Sequence, residues 1–167
     1  MRSEIITGTI AAWEKEPDKA RTAPTVIARV EDSQAVIEAG PFSWRADLPA
    51  PLGGSNQAPS PTALLLSALA GCAVVFVRDI LGPQLGVRID HVEATARCDA
   101  DARGLLGIDG ALPDLSNVAV DVTIQSADGP DGVAKVAEVW KQRCPIYLAL
   151  KNPIDVAVTF QAASESA

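Results

Sequence analysis

Three cysteines and a single histidine are the side chains of this chain able to act as soft nucleophiles or soft metal ligands. Cys72, Cys98 and Cys144 stand 26 and 46 residues apart, with His91 alone between the first two. No Cys-x-x-Cys pair and no His-x-x-x-His pair exists, so the spacings that build a zinc site are missing and no metal is expected. Asp99-Ala-Asp101-Ala-Arg103-Gly104 begins like a calcium loop. It puts Arg103 at the third ligand position and Gly110 where the bidentate glutamate belongs. Gly53-Gly54 lacks the Gly-Lys-Ser/Thr ending of a phosphate loop, and no Gly-x-Ser-x-Gly elbow occurs. No cofactor is expected. Thiol chemistry is what remains.

The two outer cysteines sit in different settings. Cys72 lies three turns into the most apolar segment, where burial raises a thiol's pKa and makes it inert. Cys144 directly precedes Pro145, which places it at a helix N-cap, where free N–H groups and the helix dipole favour a thiolate. Each alone reads as structural more readily than catalytic. Small residues beside Cys72 and the proline beside Cys144 permit the two to approach. Cys98 shares a strand face with Ala94 and Ala96 and reads as a packing residue.

Several elements must position these residues. Thr25 to Val30 is β-branched and ends at the turn formers Asp32 and Ser33; Ala35 to Ala39 is its hairpin partner, and Phe42 to Leu48 continues the alternation. Pro49 to Pro61 is a proline-rich loop. Ser60 as N-cap and Pro61 at the first helical position start a helix of about five turns, which Gly82-Pro83 should stop. Apolar on all faces, that helix should be central and enclosed. His91 to Cys98 and Val118 to Ile124 alternate as strands. Asp131 to Gln142 carries Val133, Val136, Ala137 and Trp140 on one helical stripe. A short helix from Cys144-Pro145 stops before Pro153, and Ile154 to Phe160 reads as a last strand. The segregated order points to α+β with antiparallel sheet. One domain over 1–167 is expected, with 1–24 a surface arm or edge strand and 162–167 a frayed tail.

Composition narrows the function classes. Hydrophobic residues are 48% and charged residues 21%, which suits a folded globule rather than a disordered chain. Acidic residues outnumber basic ones 21 to 14, so the net charge of −7 repels nucleic acid and anionic lipid. Neither nucleic acid nor membrane is expected as a partner. The apolar run from Ala63 to Val77 is shorter than the roughly 20 residues of a bilayer span. Residues 1–15 contain no continuous apolar h-region, so no secretory signal is expected and the cytoplasm is the expected location.

Pro59 to Cys72 (Pro-Ser-Pro-Thr-Ala-Leu-Leu-Leu-Ser-Ala-Leu-Ala-Gly-Cys) resembles the signature segment of the OsmC/Ohr family of thiol-dependent peroxidases. Arg143-Cys144-Pro145-Ile146, with Leu150 and Asn152-Pro153, is similar to the family's second cysteine motif. Leu52-Gly53-Gly54 and Arg103 to Asp109 resemble loops of the OsmC-like branch. The likeness runs from about Thr25 to Phe160.

The resemblance implies an α+β OsmC-like fold, antiparallel sheet on a central buried helix, and an intertwined homodimer in which both chains contribute to each site. It implies Cys72 as peroxidatic thiol, Cys144 as resolving thiol, an organic hydroperoxide as substrate and an external dithiol as reductant. Arg45 is the candidate for the family's thiolate-stabilising arginine; read from its strand alone, it is equally an outward residue. The family holds that arginine with a glutamate near the helix start, where this chain has Ala63. Either another acid such as Asp47 replaces it, or the arginine is unplaced. A second function therefore stays open: an OsmC-like protein without catalysis that binds a small apolar ligand or a partner.

Overall fold

The computed structural model describes residues 2–152 and 154–162. The chain begins with a helix, α1 (Arg2–Lys15), and a 3-10 turn over Pro17–Ala20. Of the two expectations for this segment, a surface arm or an edge strand, the edge strand is ruled out by the helix. Glu4 in the first turn and Lys15 in the last complement the helix dipole. The helix buries no side chain, and Arg2 pairs with Asp79.

Three short strands follow, β1 (Ile27–Glu31), β2 (Gln34–Ala39) and β3 (Phe42–Ala46), in an antiparallel sheet of order β1-β2-β3. Asp32, at φ 56°, makes the tight turn that pairs Glu31 with Gln34 and so sets the register. The loop after β3 is built on Asp47, whose side chain is 5% exposed. It accepts the backbone N–H groups of Leu48 (2.7 Å), Ser55 (3.2 Å) and Gln57 (3.0 Å), the Ser55 hydroxyl (2.6 Å), and the Gln34 amide (3.4 Å). Those donors hold its carboxyl far below the usual carboxylate range, the Gln57 N–H first and the Ser55 hydroxyl second. Gly54 closes the same loop, because a Cβ there would stand 1.9 Å from the Leu48 carbonyl oxygen.

The loop delivers the chain to α2 (Pro61–Phe76). Ser60 Oγ accepts the Ala63 N–H at 3.2 Å as N-cap. Contrary to the sequence expectation, Gly82-Pro83 does not end the helical run. A π-helical turn over Val77–Leu81 shifts the hydrogen-bond register, so Pro83 falls in the first turn of α3 (Gly82–Leu85), where it needs no N–H. Gly86, at φ 67°, is the actual stop. The run of 25 residues is by length and apolarity long enough to cross a bilayer.

Beyond it lie β4 (His91–Asp99), α4 (Ala102–Leu105), β5 (Ser116–Gln125), α5 (Gly129–Arg143) and α6 (Pro145–Lys151). β4 and β5 form a separate two-stranded antiparallel sheet with a bulge between Arg97 and Asp99. Its face of Val92, Ala94, Ala96, Val120, Val122 and Ile124 packs on the long helix, and Val136 and Trp140 of α5 join the same core. The helix contributes Leu69, Ala73, Val77 and Leu81, a stripe at a spacing of four. Of its apolar side chains only that stripe is fully covered, with Cys72, Val74 and Phe76 half-buried beside it. Val75 is 50% exposed, so within one chain the helix is central but not enclosed as its all-round apolarity predicts.

Two other expectations change. Ile154 to Phe160 is not a strand in this chain: the segment makes no ladder, and Val156 and Phe160 are 72% and 95% exposed. The alternation is there but no edge pairs with it. The tail expected to fray, 162–167, lies outside the described residues except for Ala162.

Two predictions follow from the loop. Asp47→Asn puts an amide where donors converge, so its thermal midpoint at pH 7 should fall below wild type. The Asp47 contribution is complete above the unfolded pKa of about 3.9 and is lost as pH falls toward the lower folded value. The gap between the two proteins, measured by thermal melts, should therefore shrink from pH 7 to pH 2. Gly54→Ala drives a Cβ into backbone and should cost about 2–4 kcal/mol in denaturant unfolding.

Candidate functional site

A helical elbow brings the two outer cysteines together. Pro145 disfavours helical backbone at the residue before it, and Cys144 is extended at φ −69°, ψ 113°. Its N–H still closes α5 on the Trp140 carbonyl (2.9 Å), and its carbonyl opens α6 by accepting the Leu148 N–H (3.0 Å). Cys144 is thus the C-cap of one helix and the N-cap of the next. Its thiol is 0% exposed and faces the middle of α2, where the small side chain of Ala73 is fully buried beside Cys72.

Cys72 Sγ and Cys144 Sγ lie 3.2 Å apart, and both cysteines are free thiols. A disulfide needs about 2.05 Å between sulfurs, so closure requires a shift on the order of 1 Å. Cys98 is elsewhere: half-buried at the β4 bulge, it belongs to no core cluster and meets neither thiol.

Burial pushes the Cys72 thiol up to about 11, and the Cys144 thiol beside it adds to the rise. Opposing these, the Ile146 backbone N–H donates to Cys72. That N–H belongs to the first turn of α6. The sequence reading aims the helix start at Cys144; in the fold it serves Cys72. The net effect favours the protonated thiol at neutral pH.

No arginine is among the groups that act on Cys72. Arg45 projects from β3 and pairs with Glu31 across the sheet (2.8 Å) while donating to the Gln34 side chain (3.2 Å). Within one chain it serves the first sheet rather than the thiols. Asp47 does not replace the missing helix-start glutamate either, because its oxygens are engaged by the loop. The carboxylate that holds Arg45 is Glu31, which sequence reasoning missed; its place opposite Gln34 across the Asp32 turn was the signal available.

Two aromatic residues frame the thiols and were also missed. Trp140 is one turn before Cys144 and Tyr147 one turn after it, and their rings lie 5.1 Å apart between centroids. The Trp140 Nε1–H has no hydrogen-bond partner among the described residues. Both rings line a cleft of about 430 Å³ that Leu69, Val118, Val120 and Leu150 complete, with Lys141 and Lys151 at its edge. A second cleft, of about 500 Å³, runs between the first sheet and the Asp47 loop and contains neither cysteine.

Chemically, the arrangement suits a redox couple. A thiol oxidised at Cys72 has a second thiol in contact, and an apolar cleft begins one helical turn from each.

The family model for OsmC-like proteins matches residues 54–159, a segment that includes both thiols and the cleft. No curated protein matches the chain. Among solved structures it is similar to an OsmC like protein from Mycoplasma pneumoniae, at 19% identity and TM-score 0.64 over 78% of this chain and 88% of that one. It is also similar to an organic hydroperoxide resistance protein OsmC from Legionella pneumophila, at 20% identity and TM-score 0.58, covering 78% and 90%. An organic hydroperoxide resistance protein from Elizabethkingia anophelis aligns at 16% identity and TM-score 0.56, covering 78% and 89%. With its α+β fold and antiparallel sheets, the chain belongs to the OsmC-like family, which includes hydroperoxide resistance proteins.

Proposed function

We propose that the protein is a thiol-dependent peroxidase that reduces organic hydroperoxides in the cytoplasm, as part of oxidative-stress defence. The observation that carries this reading is the 3.2 Å approach of Cys72 and Cys144 across 72 residues of chain. In the proposed cycle the Cys72 thiolate attacks the distal peroxide oxygen, the O–O bond breaks, and the alcohol leaves after taking a proton. Cys72 is then a sulfenic acid. The Cys144 thiol condenses with it, forming the S–S bond and releasing water. An external dithiol reduces the disulfide by exchange and is itself oxidised to a disulfide.

Burial disfavours the Cys72 thiolate and no cation among the described residues of the single chain acts on it, which supports activation from another surface. A second copy is the proposed source. The first sheet stands largely exposed, the α2 run is covered on one stripe, and residues 154–160 present an unpaired alternating edge. A homodimer covers such surfaces, and Arg45 of the second copy, already oriented by Glu31 and Gln34, supplies the positive charge. Neither a membrane nor nucleic acid is needed by this reading. The alternative, a ligand-binding protein without catalysis, draws on the same raised pKa and on Ala63.

Turnover of cumene hydroperoxide with a dithiol should vanish in Cys72→Ser. A wild type no faster than Cys72→Ser would favour the ligand-binding alternative. Mild peroxide followed by peptide mapping should give a Cys72–Cys144 disulfide, with Cys98 still open to alkylation. Sedimentation at micromolar concentration should give twice the chain mass of 17.4 kDa, and a monomer would sink the activation model. Arg45→Met should slow Cys72 alkylation at pH 7 by about tenfold, one pKa unit, without moving the sedimentation coefficient.

A further inference from the structure

Strand alternation gathers a row of polar side chains on one face of the first sheet. Arg45 and Asp47, two residues apart at the end of β3, fall on the same side. Gln34 begins β2 one step beyond the Ala35–Ala46 pair and stands between them, with Glu31 directly opposite it across the Asp32 turn. Hydrogen bonds join the row. The Gln34 amide donates from Nε2 to Asp47 Oδ2 (3.4 Å), and its Oε1 accepts from Nη1 of Arg45 (3.2 Å). Nη2 of Arg45 donates to Glu31 (2.8 Å).

An amide is matched to that point. The Asp47 carboxylate accepts and cannot donate, while the Arg45 guanidinium donates and cannot accept. A group between them has to offer a donor at one end and an acceptor at the other, which leaves Gln34 a single orientation. A carboxylate there would face Asp47 with like charge, and an ammonium would do the same to Arg45. Asp47 is a firm anchor, because it is buried and three backbone N–H groups and a hydroxyl already hold it in the loop.

The bridge also decides what charge Arg45 keeps. Without it, the guanidinium lies within reach of a second carboxylate on its own strand face. With it, the contact on that side is neutral, and Glu31 is the one carboxylate paired with Arg45 among the described residues. Gln34 and Glu31 occupy two of the five guanidinium N–H donors. The others have no partner among the described residues and stay available to a surface that docks there.

We propose that Gln34 is the positioning residue of the activating arginine: locked by Asp47, its amide aims the Arg45 guanidinium and keeps it from a second negative charge. This rests on the reading in which Arg45 of a second copy meets Cys72. Gln34 touches neither sulfur nor peroxide and acts only through Arg45.

The test reads Cys72 ionisation rather than turnover. Alkylation of Cys72 by iodoacetamide is followed across the neutral and alkaline range by mass spectrometry of its peptide, on the full chain at a concentration where it sediments as a dimer. Gln34→Met keeps the length and removes both hydrogen bonds. Gln34→Asn keeps the amide but is one methylene too short to touch both partners. Each should slow alkylation at pH 7 by about threefold, half a pKa unit, and displace the pH profile upward to match. Combining Gln34→Met with Arg45→Met should be no slower than Arg45→Met alone, because the amide has nothing left to aim. Should Gln34→Met fail to give the dimer, Gln34→Asn combined with Arg45→Met carries the same comparison. Unchanged rates in the Gln34 variants beside a slow Arg45→Met, or effects that multiply in the double variant, overturn the proposal and leave the activation reading standing. An Arg45→Met as fast as wild type overturns that reading, and the proposal with it.

Discussion

The contact between Cys72 and Cys144 depends on the elbow between α5 and α6 keeping its shape. Pro145 holds Cys144 out of the helical region, the Trp140 carbonyl fixes its N–H, and Trp140 packs across the bend on Tyr147. On the opposite side, the stripe Leu69, Ala73, Val77 and Leu81 meets Val136 and Trp140 in the core. Ala73, beside Cys72, is fully buried, and Gly71 has nothing within 4 Å of its missing side chain. A larger residue at Ala73 would wedge the helices apart, whereas Gly71 faces open space. The thiol contact is therefore a product of helix packing, not of a local cysteine motif, and it reports on the whole core.

That packing has an electrostatic consequence. The burial that brings the sulfurs together also disfavours a negative charge on Cys72. One backbone N–H, from Ile146, opposes the rise and does not reverse it. A resting, reduced pair with a protonated Cys72 is consequently the natural state of the isolated chain. On the proposed reading reactivity is supplied from another surface, and the chain keeps Arg45, the cation proposed for it, on a sheet that shares little of the core. Holding Arg45 with Glu31 of β1, across β2, makes it independent of the helix start, so Ala63 can stand there without leaving that arginine unpartnered.

Much of this was legible in the residues, and the failures have separate physical causes. Ser60-Pro61 gave the helix start because capping is local. Cys144-Pro145 placed the elbow for the same reason. The helix stop failed at Gly82-Pro83 because a π-helical turn resets the hydrogen-bond register without leaving a mark in the apolar periodicity. The helix over residues 2–15 was not legible because mixed polarity with Gly8 lacks a clear period. Asp47 gave no signal as a loop organiser, since its donors are backbone groups eight and ten residues away. For the Ile146 N–H the difficulty was deeper: a backbone donor has no letter in the sequence, and only the fold says which sulfur it reaches.

The segment 154–160 is the most informative of these mismatches. Strict alternation of Ile154, Val156, Val158 and Phe160 encodes one buried face, yet in the single chain all four are exposed. The first sheet shows the same conflict in Val30 and Phe42, and α2 shows it in Val75. Local pattern and single-chain burial disagree at each of these places, whereas they agree along the core stripe and on the helix-facing side of β4 and β5. A sequence that satisfies its own core and leaves three other patterned faces uncovered is consistent only at the level of an assembly. The residues that carry the thiols fall in the satisfied part, and the residue proposed to activate them falls in the unsatisfied part. The redox couple is thus a property of the chain, while its activation, on this reading, is a property of the pair and should vary with protein concentration by mass action.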